Sequence, residues 1–366
     1  MGDVVVKSFN DSGCIAHLIG CAKTRKALLV DPKAGRRAAY EKALADYGLT
    51  LAAVLDTHTH ADHLSDSAAW IARGLPLYMG AATGCARPHL GLRDGDTLRV
   101  GELTFRALSV PGHTPDSIAL HLPPAREGNG ERAGLVLTGD TLFAGGLARA
   151  DFRGSDPARL FDSVTSKLMT LPDSTVVLPG HGYQDILFTT IATERAKNPA
   201  LKHASGAAYA TALKAVAGAG NSPDVDATLA TNQAANPELP ESPVATTAGC
   251  SMGSAPIAGA KIREQKCDEL APRRETLTSK KLWIDVRDPW ELEKDGRIAG
   301  ALNFPLSELG LHLDEVRALA PEVISCKSGG RSMTAAKTLV YLGVLADPIS
   351  MAGGFGQWKQ LGLPVV

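Results

Sequence analysis

Seven consecutive residues, Thr57-His58-Thr59-His60-Ala61-Asp62-His63, constrain this chain more than any other stretch. They set three imidazoles and a carboxylate directly behind the apolar run LAAVLDT (51–57). The same arrangement recurs three times. His113 in VPGHT, Asp140 in LTGDT and His181 in LPGHG each follow a short apolar run. Strand ends that open into short loops let residues far apart in sequence meet at one point. Imidazole and carboxylate are the donors that zinc and iron take. This repetition at four strand ends predicts a metal site. His17, His89, His121, His203 and His312 stand outside the pattern and read as ordinary surface or core residues.

The runs ALLVD (27–31), LTFRALSVPG (103–112), GLVLTGD (134–140) and TVVLPG (175–180) alternate with amphipathic segments. One of these, RRAAYEKALADYG (36–48), stops at Gly48. Such alternation predicts a layered α/β fold. From about 205 to 260, Ala, Gly, Pro, Ser and Asn dominate, and large apolar residues are few. That composition reads as a tail and interdomain linker, with one helix over YATALKAVAG. Order resumes with LWIDVRD (282–288), GALNFP (300–305), EVISC (322–326) and the helical RSMTAAKTLVYLG. The sequence therefore divides into a domain at 1–240, a linker at 241–261 and a domain at 262–366.

The net charge is −1 over 366 residues. No global field draws the chain to nucleic acid or an anionic membrane, so neither partner is expected. MGDVVVKSFNDSGC has no basic leader followed by an apolar core, and no apolar run reaches about 18 residues. The six cysteines are scattered, without CxxC spacing. A reducing, cytoplasmic setting is the expectation. Most of the cysteines, Cys14 and Cys21 among them, read as small core residues.

Cys326 has a different context. CKSGGRS (326–332) lies between the run EVIS and a helix. Gly329 and Gly330 permit tight curvature, and with Ser328 they offer backbone N–H groups to a bound sulfur. The helix N-terminus, Lys327 and Arg331 add positive potential. Each favours a thiolate or a bound persulfide anion, which makes Cys326 the candidate nucleophile. A six-residue loop from Cys326 to Arg331 suits sulfur better than phosphate; the longer CxxxxxR loop of dual-specificity phosphatases is the alternative.

The histidine and aspartate motifs resemble those of the metallo-β-lactamase superfamily, over residues 1 to about 240. The resemblance implies an αβ/βα sandwich with metal at its edge. One metal position would use His58, His60, His113 and Asp140, and a second Asp62, His63, Asp140 and His181. RADFR (149–153) and TTIATERAKNPAL (189–201) narrow the likeness to persulfide dioxygenases. That family implies one Fe(II) per chain on His58, His113 and Asp140, with His60, Asp62, His63 and His181 orienting ligands or exchanging protons. It also implies substrates O2 and glutathione persulfide, with sulfite and glutathione as products. Arg149 is the candidate for a glutathione carboxylate, an ion pair with Asp151 being the alternative. Tyr183 is placed against the thiol substrate.

IDVRDPWE (284–291), RIAGALNFP (297–305), the cysteine loop and GGFGQW (353–358) resemble a single rhodanese unit, an α/β domain with a central parallel sheet. There Asp285 and Arg287 would tie a strand end to its neighbours, and Arg297 replaces the usual histidine. The whole chain resembles bacterial persulfide dioxygenase–rhodanese fusions. Sulfur transfer between thiosulfate and glutathione through a Cys326 persulfide is the implied second activity, in either direction. A homodimer is suggested by the resemblance alone. A dinuclear zinc thioester hydrolase of the glyoxalase II type, with an accessory rhodanese domain, is the rival reading. A non-catalytic sulfur carrier is another.

Overall fold

A computed structural model of the chain describes residues 3–127, 130–216, 223–235 and 262–366. Over these residues the chain forms two compact units: Met1–Tyr183 with Thr190–Ala255, and Gln184–Thr189 with Pro256–Val366.

The first unit is the αβ/βα sandwich. One sheet takes six strands in sequence order: Val4–Asp11, Cys14–Cys21, Lys26–Val30, Thr50–Leu55, Leu77–Gly80 and Leu90–Leu92. In the other sheet Val176–Pro179, Leu135–Gly139, Ile118–Leu122, Leu103–Ser109 and Thr97–Val100 are successive neighbours. Central strands are apolar throughout because both faces are covered. CIAHLIGC is buried at every position, as is LVLTG. Helix Arg37–Asp46 sets Tyr40 and Ala43 into the first sheet's core, with Trp70, Leu29 and Val54. Its chain exit uses Gly48 at φ +60°, a backbone that favours glycine. Helix Pro157–Ser166 covers the second sheet with Leu160, Phe161 and Val164. Asp156 caps it by accepting from Arg159 N–H, and Pro157 fills the first position, where no donor is needed.

The segment after the sandwich strands is more structured than its composition suggests. Helix Gly206–Val216 takes in the described part of the expected YATALKAVAG, up to Val216. A second helix, Pro223–Gln233, occupies a stretch read above as tail and linker. Its side chains are small and weakly amphipathic, so hydrophobic periodicity cannot reveal it. It is held by polar contacts instead, described below. The expected linker at 241–261 lies outside the described residues.

The second unit is built on a five-stranded parallel sheet, ordered Arg263–Lys266, Ile349–Ala352, Val323–Ser325, Trp283–Asp285, Leu302–Asn303. Trp283 and Trp358 pack edge to face at 5.5 Å in its core, beside Val323, Ile349 and Phe355. Asp285 and Arg287 play the structural part expected of them. Both are fully buried, and the guanidinium donates to both carboxylate oxygens at 2.8–3.1 Å while lying over the Phe355 ring. Among the described residues no helix is long and apolar enough to cross a membrane.

Candidate functional site

Each ligand-bearing loop leaves a strand end. His58 follows Thr50–Leu55, His113 follows Leu103–Ser109, Asp140 follows Leu135–Gly139 and His181 follows Val176–Pro179. The loops approach closely because glycine precedes three of the donors, His113, Asp140 and His181. Gly139 has φ +47°, and a Cβ there would lie 2.2 Å from Thr57 Oγ1. A Cβ on Gly180 would lie 2.4 Å from Asp140 Oδ1. The His181 loop is further tied down by the strand Cys14–Cys21, since Ile15 N–H donates to Gly180 O at 2.7 Å.

His58, His113 and Asp140 converge, with one donor atom from each within 4.8 Å of the others. All three are buried. Asp140 Oδ2 lies 4.0 Å from His58 Nε2 and 3.7 Å from His113 Nε2. Neither ring Nε2 has a hydrogen-bond partner, while Asp140 Oδ2 has an ion-pair neighbour in His181 Nε2 at 3.2 Å. Buried polar atoms are almost always paired, so two orphaned ring nitrogens facing one carboxylate oxygen form the pattern a cation completes. The opposite sides of the rings are engaged. His113 Nδ1 is 2.8 Å from Arg149 O, and His58 Nδ1 is 2.9 Å from Thr57 Oγ1. Thr57 Oγ1 donates to Asp31 at 2.8 Å, so it accepts from His58 Nδ1–H and leaves Nε2 as the lone-pair side. Two imidazoles and a carboxylate fit Fe(II) or zinc. Burial, with His60 next in weight, depresses the His58 pKa to about 3, so this ring is neutral and able to ligate.

The other four motif residues are arranged differently. His60 turns toward Asp31, with Nε2 3.2 Å from its carboxylate. Burial opposes the His60 cation, but Asp31 outweighs it and lifts the pKa to about 9. Asp62 is the hub of the rest. It faces His63 Nδ1 at 3.1 Å and His181 Nε2 at 3.3 Å, and it accepts from Cys14 Sγ at 3.2 Å. Cys14 is thus a core thiol that also reaches this centre. Burial and the neighbouring Asp62 push its pKa up, so it donates as a thiol. His181 lies between Asp62 and Asp140, 3.2 Å from the latter. Burial works against its cation, yet the two carboxylates raise its pKa to about 10. Asp62, Asp140 and His181 also meet a metal-ligand spacing, but here the charges already face partners of opposite sign.

A cavity of about 510 Å³ adjoins these loops. Thr59, Asp116, Phe152 and Arg153 line one side, and Asp226 and Gln233 of helix Pro223–Gln233 another. Phe152 also packs edge-on against the His113 ring at 5.0 Å. Arg149 donates from Nε to Asp151 at 2.7 Å, with its guanidinium over Phe152. The alternative given for Arg149, an ion pair with Asp151, is present. Tyr183 stacks flat on His181, with ring centroids 5.6 Å apart.

In the second unit Cys326 follows the strand Val323–Ser325, and its Sγ accepts from Gly329 N–H at 3.1 Å. Gly329 has φ +103°, which turns the loop into helix Gly330–Tyr341. The GGFG segment packs behind the loop, where a Cβ on Gly354 would lie 2.5 Å from the Lys327–Ser328 peptide. Cys326 is buried in this resting arrangement. The two loop cations both meet carboxylates of helix Pro289–Asp295. Arg331 forms a two-pronged pair with Glu291 at 2.5 and 2.7 Å, and Lys327 Nζ lies 3.8 Å from Asp295.

Four important residues carried no functional signal in the sequence. Asp31 orients His58 and His60, and it ends a strand like the ligands do. Asp116 accepts from Thr59 N–H, Thr59 Oγ1 and Thr114 Oγ1, which joins two ligand loops. Glu291 begins a helix as half of a capping box with Asp288, and it also holds Arg331. Asn232 contacts the histidine loop from a helix that periodicity does not mark.

Comparisons with known proteins match both halves. Residues 12–181 fit the metallo-β-lactamase superfamily, and residues 267–361 fit the rhodanese-like domain. The human mitochondrial persulfide dioxygenase ETHE1 is 30% identical over 187 residues, which span 50% of this chain and 70% of that protein. The probable metallo-hydrolase YqgX of Bacillus subtilis is 32% identical, over 48% of this chain and 87% of its own. The crystal structure of ETHE1 from Myxococcus xanthus is 34% identical, with a TM-score of 0.56, and covers 63% of this chain and 98% of that one.

Proposed function

Because the chain belongs to the metallo-β-lactamase superfamily, among its persulfide dioxygenases, and continues into a rhodanese-like domain, we propose that it oxidises a low-molecular-weight persulfide and moves sulfane sulfur through Cys326. The carrying observation is the buried convergence of His58 Nε2 and His113 Nε2, neither hydrogen-bonded, on Asp140 Oδ2. His58, His113 and Asp140 would hold one Fe(II) per chain, and the iron would supply the oxygen-activating chemistry. Thr57 and the Arg149 carbonyl fix the two rings. His181, between Asp62 and Asp140, is the group placed to hold or move a proton. The adjoining cavity takes the thiol's organic part, and glutathione persulfide is the substrate. The balanced reaction is GSSH + O2 + H2O → GSH + sulfite + 2 H⁺.

In the rhodanese unit the Cys326 thiolate attacks the outer sulfur of thiosulfate. The S–S bond breaks, sulfite leaves, and a Cys326 persulfide remains. Glutathione thiolate then takes the outer sulfur and restores the Cys326 thiolate. The Gly329 N–H already directed at Sγ supports this role. An enzyme acting on small sulfur species, without nucleic acid, fits the net charge of −1, and scattered cysteines without CxxC spacing fit a cytoplasmic setting.

A second reading is a dinuclear zinc hydrolase. Its support is the Asp62–Asp140–His181 grouping and the likeness to a probable metallo-hydrolase. Oxygen consumption on glutathione persulfide by the iron-loaded chain separates the two. The oxygenase reading expects uptake that Asp140→Ala abolishes. No uptake, with thioester hydrolysis by the zinc-loaded chain, would replace it with the hydrolase.

A further inference from the structure

We propose that Asn232 is a positioning residue of the metal centre, which makes helix Pro223–Gln233 a structural part of that centre. The inference needs the metal site but not the oxygenase reaction. Asn232 is 1% exposed. Its Nδ2 donates to His60 O at 2.9 Å and to His63 O at 2.8 Å, and its Oδ1 accepts from Ser65 N–H at 3.0 Å. One amide therefore uses both donor hydrogens and its acceptor on the loop that carries His58, His60, Asp62 and His63.

The physical need is clear from the loop itself. Buried carbonyls must be paired. The segment 56–66 is neither helix nor strand, so it has no ladder of its own to satisfy them. Asn232 supplies that ladder from a distant part of the chain. Fixing the peptide planes at His60 and His63 fixes where the intervening side chains project. A small rotation there would swing Asp62 and His63 away from His181 and disturb the spacing around Asp140.

The helix is anchored for this task. Asn232 O accepts from Arg87, a buried guanidinium that also donates to Ser67 Oγ at 2.7 Å. Ala86 N–H donates to Gln233 O at 2.8 Å. Ser65 and Ser67 both donate to Asp56, which closes a polar network beneath the ligand loop. The same helix contributes Asp226 and Gln233 to the cavity, so it borders both the metal loops and the space beside them.

The test uses the full chain and Co(II), whose absorption bands report ligand geometry. Asn232→Ala and Asn232→Ser are expected to bind Co(II) about 10–100-fold more weakly and to shift its bands, as loss of an outer orienting contact does. Thr231→Ala, on the same helix, is expected to bind like wild type. A fall in melting temperature with unchanged Co(II) affinity and spectrum would overturn the proposal. If the Asn232 variants do not fold, the wild-type chain still decides. Binding linkage is reciprocal, so Co(II) should slow amide exchange across 225–235 as well as across 57–66. Slowing confined to 57–66, or a chain that takes up no Co(II), would contradict the role.

Discussion

The candidate metal centre draws its three donors, His58, His113 and Asp140, from three loops scattered along the first unit, whereas the cysteine loop is six consecutive residues. The difference extends to how each is satisfied. Around the candidate metal centre two buried ring nitrogens, of His58 and His113, face the Asp140 carboxylate without hydrogen-bond partners. In the cysteine loop the cations are already matched, Arg331 by Glu291 and Lys327 by Asp295. The first site needs something from outside to complete it. The second is complete as folded and needs a substrate to displace what it has. This explains why the first is recognised by orphans and the second by backbone shape.

The comparison can be broken most severely at Asp140. Asp140→Ala is expected to lose both bound iron and oxygen uptake, read by metal analysis and an oxygen electrode, while sulfur transfer persists. Cys326→Ser is the converse test. Sulfur transfer from thiosulfate should vanish, with oxygen uptake on glutathione persulfide unchanged; transfer that survives would remove Cys326 as nucleophile. Asp31→Asn probes the outer layer of the metal centre. With the Thr57 and His60 contacts weakened, iron affinity should fall by about 10–100-fold, measured by competition with a chelator. Glu291→Gln should have the smallest effect. Arg331 keeps one neutral partner, and the rhodanese unit should lose roughly 1.5–3 kcal/mol in denaturant unfolding. A larger loss would mean that the pair organises the whole loop.

Legibility in the sequence divides along the same line. The histidine–aspartate motifs and CKSGGRS are local patterns, so their placement at strand ends and the α/β class could be read directly. Asp31, Asp116 and Asn232 could not, because each is a single polar residue whose meaning depends on a partner loop brought near by folding. Asn232 was doubly hidden. Its helix has small side chains and a weak apolar face, which composition assigns to a linker. Arg149 divides differently. Its position beside the site was legible, but the adjacent Asp151 engages its guanidinium, and its backbone carbonyl is what touches His113. Lys327 and Arg331 looked like free charge beside a thiol, since the carboxylates that face them lie on a helix some distance back in the chain.

The most direct measurement is anomalous diffraction at the iron edge from crystals of the iron-loaded chain. One peak is expected, bonded to His58 Nε2, His113 Nε2 and Asp140 Oδ2. A second full peak between Asp62 and His181, or a single peak away from His58 and His113, would contradict it.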